Sequence, residues 1–129
     1  MPVSSARRFL EMLIMSLILA AGSAGAQQPI ERKAEINGLL IHYLEWGDRG
    51  RQPMLLLHGI ARTARNFDHL APHFARYYRV IAVDMRGHGE SSWDPQEAYL
   101  VEDYAKDVEA LIVRLELKNI VLWGNSTGG

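Results

Sequence analysis

Ser126 stands in the run Gly124-Asn125-Ser126-Thr127-Gly128, directly after the apolar stretch Ile120-Val121-Leu122-Trp123. An apolar strand feeding straight into G-x-S-x-G is the pattern of a nucleophile elbow, a sharp strand-to-helix turn that lifts a serine hydroxyl clear of its surroundings. The flanking glycines have a steric reason, because a serine held in a strained backbone conformation leaves no room for side chains two residues to either side. The chemistry this serves is nucleophilic attack on a carbonyl through a covalent acyl intermediate. Such a serine needs a general base and an acid that orients it. In the chain order Ser, Asp/Glu, His, both follow Ser126 and so fall beyond residue 129.

Other residues invite a chemical reading and carry less. His58 precedes the triad position in chain order and is read as a loop-shaping side chain. Asp84 and Arg86 are read as a structural pair that shapes their loop. Gly87-His88-Gly89 opens like a dinucleotide fingerprint, but the third glycine is absent and no helix starts there. The glycines from Gly124 to Gly129 include no lysine, which excludes a phosphate-binding P-loop. His42, His69, His73 and His88 show no metal-ligand spacing and are read as surface or packing residues. The chain has no cysteine, so disulfides and thiolate metal sites are excluded. With 14 basic against 15 acidic residues, a net charge of −1 gives no footprint for nucleic acid. No cofactor and no metal are expected; the partner expected is a small-molecule substrate.

The elements that must position Ser126 are legible upstream. Ala34 to Ile36 and Leu39 to Trp46 read as strands joined at Asn37-Gly38, a strong two-residue hairpin signal. Met54 to Leu57 is apolar on both faces, as is Arg79 to Val83 after its first residue, which implies strands buried within a largely parallel sheet. Thr63 to Tyr78 reads as helical but is interrupted by Pro72, so two short pieces are expected. Val101 to Leu117 carries an apolar stripe at Val101, Tyr104, Val108, Leu111 and Leu115. Strands alternating with helices predict an α/β doubly wound, mostly parallel sheet, whose ligands bind at the carboxyl ends of the strands. His58-Gly59, Asp84 to Ser92 and Ser126 all fall at such ends.

The first 26 residues read as a segment outside that fold. Arg7 and Arg8 precede the apolar run from Met12 to Ala21, and Ala24-Gly25-Ala26 has the small-x-small pattern of a signal-peptidase site. The uncharged stretch from Met12 to Ala26 is shorter than the roughly 18–20 residues that span a bilayer. The expectation is a signal peptide over 1–26, cleavage near Ala26, and an exported domain over 27–129, periplasmic or secreted, with no membrane attachment after cleavage.

Taken in order, the hairpin, the strand into His58-Gly59, the strand into Asp84-Met85-Arg86-Gly87-His88-Gly89-Glu90-Ser91, the helix from Val101 and the elbow at Ser126 resemble the α/β-hydrolase family. The likeness covers residues 27–129 and corresponds to the N-terminal half of that fold, through its fifth strand. It implies a serine hydrolase, esterase-like, with Ser126 as nucleophile and the backbone N–H groups of Ile60 and Thr127 as the oxyanion hole. Serine at this position argues against the family's dehalogenases and epoxide hydrolases, which use aspartate there. The alternatives are a carbon–carbon bond hydrolase of the same fold, whose elbows also read Gly-Asn-Ser-x-Gly-Gly, and a truncated, non-catalytic product. Residues 1–129 by themselves are expected to be inactive, because Ser126 lacks its base.

Overall fold

The computed structural model describes residues 27–129, so the expected signal segment lies outside the described residues. Five strands form one sheet: β1 (Ile30–Ile36), β2 (Leu39–Trp46), β3 (Pro53–Leu57), β4 (Arg79–Val83) and β5 (Val121–Gly124), in the order β1-β2-β4-β3-β5. Asn37 and Gly38 both take positive φ, +51° and +78°, the twist-matched turn that a two-residue hairpin requires. That hairpin lays β2 antiparallel to β1, in register from Ile30↔Glu45 to Ile36↔Leu39, and β2 also runs antiparallel to β4. Only the β4-β3-β5 part is parallel. The expectation of a mostly parallel sheet is therefore corrected to a mixed one. The leading hairpin supplies both antiparallel pairings, and the crossover connections supply both parallel ones.

β1 begins four residues earlier than the apolar pattern predicts, because Ile30-Glu31-Arg32-Lys33 is the exposed part of an edge strand. Charged side chains on an edge discourage pairing with another chain.

Alternating side chains divide the core between the two faces of the sheet. Ile41, Tyr43, Leu55, Leu57, Ile81 and Val83 pack on one face under α2 (Val101–Arg114), through Leu111, and under Leu117 just beyond its end. Leu44, Trp46, Met54, Leu56, Val80 and Ala82 pack on the other, under a short 3-10 turn (Ala64–Phe67) and α1 (Ala71–Phe74). Both faces are covered, as a doubly wound sheet requires. Pro72 lies in the first turn of α1, where a missing N–H costs nothing, so it separates two short pieces as expected. In α2 the side chain of Leu100 cannot cap, and Asp103 reaches back to accept the Leu100 N–H at 3.0 Å. Val101, read as the first residue of the apolar stripe, is 66% exposed. β5 closes the other edge, with Leu122 and Trp123 open to solvent.

Glu45 sits 2% exposed within the sheet and is contacted by three guanidiniums, those of Arg32, Arg49 and Arg79. Burial pushes its carboxyl up, but the hydrogen bonds from Arg49, Arg79 and Arg32 outweigh that and hold it at about 2. Its folded value is depressed, so the stabilisation is fully present above the ordinary carboxyl range and is lost as pH falls from about 5 toward 2. The shift corresponds to about 3 kcal/mol at most. Urea unfolding should show wild type more stable than Glu45→Gln at neutral pH, with the gap closing between pH 5 and 2. A gap that stays constant over that range would contradict the assignment.

Candidate active site

Because β3, β4 and β5 are parallel, their carboxyl ends open on one edge of the sheet, and the three loops of chemical interest meet there. Leu57 pairs with Gly124, and the Asn125 N–H donates to Leu57 O at 3.1 Å, which aligns the end of β5 with the start of the His58-Gly59 loop. Ser126 then turns into a left-handed conformation, φ +54°, and opens a 3-10 turn (Ser126–Gly128). For a non-glycine residue this is a strained backbone, of the kind kept where a site is built.

The flanking glycines are required by close approach. A Cβ on Gly124 would overlap the Gly128 carbonyl, and a Cβ on Gly128 would overlap the carbonyls of Leu57 and His58. The two ends of the elbow thus press against each other and against the neighbouring strand. Gly59 faces the serine directly: a Cβ there would lie 3.2 Å from Ser126 Cβ and 3.7 Å from its Oγ. The loop that carries Ile60 therefore passes beside the serine side chain. Ala61 in that loop also has positive φ, +56°, a geometry that alanine adopts only under constraint.

A cleft of about 520 Å³ opens at Ser126, within the range of small-molecule sites. Asn125 and Ile60 line it together with Phe67 and Trp123, whose rings meet edge to face at 5.5 Å, and Arg62 places a charge on its wall. From the sequence Trp123 reads as a core or loop anchor rather than a substrate contact, Phe67 reads as one apolar face of a helix, and Arg62 carries no site signal. Their contributions depend on the sheet bringing β5 beside the turn after β3, which no local spacing announces.

His58 is 1% exposed and both its ring nitrogens are engaged. The Met85 N–H donates to Nε2 at 3.0 Å, so the proton is on Nδ1, which donates to Gly59 O at 2.8 Å. Burial lowers its pKa, keeping the ring neutral in this bridging role. His58 ties the Gly59 loop to the start of the loop after β4. Among the described residues no imidazole or carboxylate is hydrogen-bonded to the Ser126 hydroxyl.

The pairing of Asp84 with Arg86 is not formed. Asp84 instead accepts from His42 Nδ1 at 2.8 Å, from the Ala64 N–H at 2.7 Å and from the Glu90 N–H at 3.0 Å. Both residues lie past the end of β4, and the loop that starts there carries the Arg86 side chain away from Asp84 to α2. There its guanidinium grips Asp107 with two bonds, 2.6 and 2.7 Å, and reaches Asp94 at 3.0 Å and Ala98 O at 2.9 Å. Both residues do shape their loop, through different partners. His42, read as surface or packing, is 3% exposed and bound to Asp84.

A sequence profile described as the alpha/beta hydrolase fold matches residues 52–129. Over 112 residues the chain is 36% identical to the dihydrolipoyllysine-residue acetyltransferase component of the acetoin cleaving system of Pseudomonas putida, covering 87% of this chain and 30% of that protein. Over 94 residues it is 37% identical to epoxide hydrolase 4 of Mus musculus, covering 72% of this chain and 26% of that one. The crystal structure of a bacterial membrane phospholipase A superposes with a TM-score of 0.77 at 29% identity, covering 95% of this chain and 44% of that chain. The chain thus spans less than a third of the length of these two curated relatives. No helix among the described residues is long and apolar enough to cross a membrane.

Proposed function

Because the chain belongs to the α/β-hydrolase fold family, we propose that it carries the nucleophile half of a serine hydrolase that transfers an acyl group from an ester to water. The observation that carries this reading is the position of Ser126: positive φ, an exposed side chain at the mouth of the cleft, and the Gly59 loop against its Cβ. Ser126 Oγ attacks the acyl carbon and the alcohol departs; water then attacks the acyl-enzyme and releases the acid. The N–H groups of Ile60 and Thr127 receive the negative charge that develops on the carbonyl oxygen. One such donor contributes about 3–4 kcal/mol to the transition state.

Serine rather than aspartate at the elbow favours this over the reaction named for epoxide hydrolase 4, and the likeness to a phospholipase A supports an ester substrate. The proton that Ser126 gives up needs a histidine oriented by a carboxylate, which the family's chain order puts after the elbow. Residues 1–26 are proposed to direct export, and N-terminal sequencing of the exported protein should then begin at Gln27.

Hydrolysis of p-nitrophenyl esters of graded acyl length tests the reading. A form of the protein that supplies an acid and a histidine after the elbow should turn over one or more of them. Residues 1–129 alone should show no Ser126-dependent rate. A rate from residues 1–129 that disappears in Ser126→Ala would refute the requirement for a later base.

A further inference from the structure

Away from the cleft, Glu31 on β1, His42 on β2 and Glu90 in the loop after β4 each bring one potential ligand atom within 4.8 Å of the others. His42 is 3% exposed, with Nδ1 at 2.8 Å from Asp84 Oδ2. Asp84 Oδ2 accepts a hydrogen bond from Nδ1–H, and in the tautomer this bond selects Nε2 presents its lone pair toward the two glutamates. Nε2 has no hydrogen-bond partner among the described residues, although it is almost fully buried. Its nearest charged neighbour is an acceptor, Glu31 Oε2 at 3.9 Å. A buried lone pair facing a carboxylate is unfavourable unless a proton or a metal cation lies between them.

We propose that Glu31, His42 and Glu90 bind a divalent transition-metal ion of the zinc class. One imidazole and two carboxylates suit zinc, whereas magnesium and calcium prefer more oxygen ligands. A tetrahedral ion with arms of about 2.0–2.2 Å sets its ligands roughly 3.3–3.6 Å apart. Both glutamates are exposed, so small side-chain rotations close the remaining distance. The supporting contacts are already in place. Arg65 holds Glu31 Oε1 and leaves Oε2 facing His42, and Asp84 Oδ2 accepts both the His42 ring and the Glu90 N–H. Lys33 Nζ, 3.7 Å from Glu90 Oε2, is the competing cation and swings outward when the ion binds. The ligands come from three separate stretches of chain, so their spacing in the sequence gives no sign of the site. A bound ion would tie the edge strand β1 to β2 and to the loop after β4, independently of the chemistry proposed at Ser126.

Calorimetric titration of the full chain with Zn²⁺ alone, in chelator-free buffer near neutral pH, tests this. The expected result is one ion per chain with a rise in melting temperature. Glu31→Gln and Glu90→Gln, both at exposed side chains, should each weaken binding at least tenfold, a loss of the size seen when even outer-shell partners of a metal are removed (about 10–100-fold). Absence of saturable binding would overturn the proposal. So would binding that survives Glu31→Gln/Glu90→Gln, because the ion would then be held elsewhere, for example by His69 and His73.

Discussion

Replacing Ser126 by alanine in an ester-hydrolysing form of the protein is expected to lower kcat about a million-fold, with little change in the binding of substrate. The magnitude follows from what remains. Without the hydroxyl no acyl-enzyme forms, and the oxyanion donors at Ile60 and Thr127 can assist only direct attack by water, a residual of roughly 10³–10⁴-fold over the uncatalysed rate. The substitution itself is mild for the fold. Ser126 is exposed, and its side chain donates no hydrogen bond that the 3-10 turn depends on; that turn is closed by Gly128 N–H to Asn125 O and Gly129 N–H to Ser126 O. Loss of turnover with an unchanged unfolding midpoint is therefore the expected pair of results. A drop of less than about a hundredfold would mean that another group performs the attack.

The largest effect on stability is expected at Arg86. Arg86→Ala should cost about 3–5 kcal/mol in urea unfolding, because it leaves the buried Asp107 carboxylate without its partner. Both side chains of the pair are more than nine-tenths buried, and the two parallel bonds match the planar fork of a guanidinium to a carboxylate. The same side chain also holds Asp94 and the Ala98 carbonyl, while Asp107 holds the Asn37 side chain of the hairpin turn at 2.9 Å. One guanidinium thus connects α2, the loop after β4 and, through Asp107, the β1–β2 turn. Arg86→Lys should recover only part of the loss, since an ammonium cannot form the two-bond fork. Arg86→Met/Asp107→Leu, which removes both charges, should be less damaging than Arg86→Ala alone. A cost below about 1 kcal/mol for Arg86→Ala would place the pair with ordinary surface ion pairs.

Those two sites also show what the sequence could and could not convey. The elbow was legible because its constraint is local. The turn geometry of Ser126 and the contact of Gly124 with Gly128 are set within five residues, and the glycines record it. The Asn37-Gly38 turn and the apolar strands β3 and β4 were legible for the same reason, since propensity and burial pattern act over a few positions. The partners of Arg86 were not. Asp84 stands two residues away, but the loop that begins after β4 carries the Arg86 side chain to α2, and the true partner, Asp107, is 21 residues on. The pairing of His42 with Asp84, 42 residues apart, is hidden for the same reason. The start of β1 was hidden by Glu31-Arg32-Lys33, because an exposed edge strand carries charges where a buried one carries the apolar pattern. The balance of parallel and antiparallel pairs depended on where β2 inserts. β2 lies beside β4 rather than β3, and periodicity within a strand holds no information about its neighbour.

The central claim is that Ser126, held by the elbow, is the nucleophile. Its most direct test is to treat the protein expressed from its own gene with a fluorophosphonate, in which an activated serine displaces fluoride, and to map the adduct by peptide mass spectrometry. The account predicts a single phosphonyl group on the peptide containing Ser126, and none in Ser126→Ala. An ester-hydrolysing protein that carries the adduct on a different serine, or turns over ester at the same rate after Ser126→Ala, would contradict it.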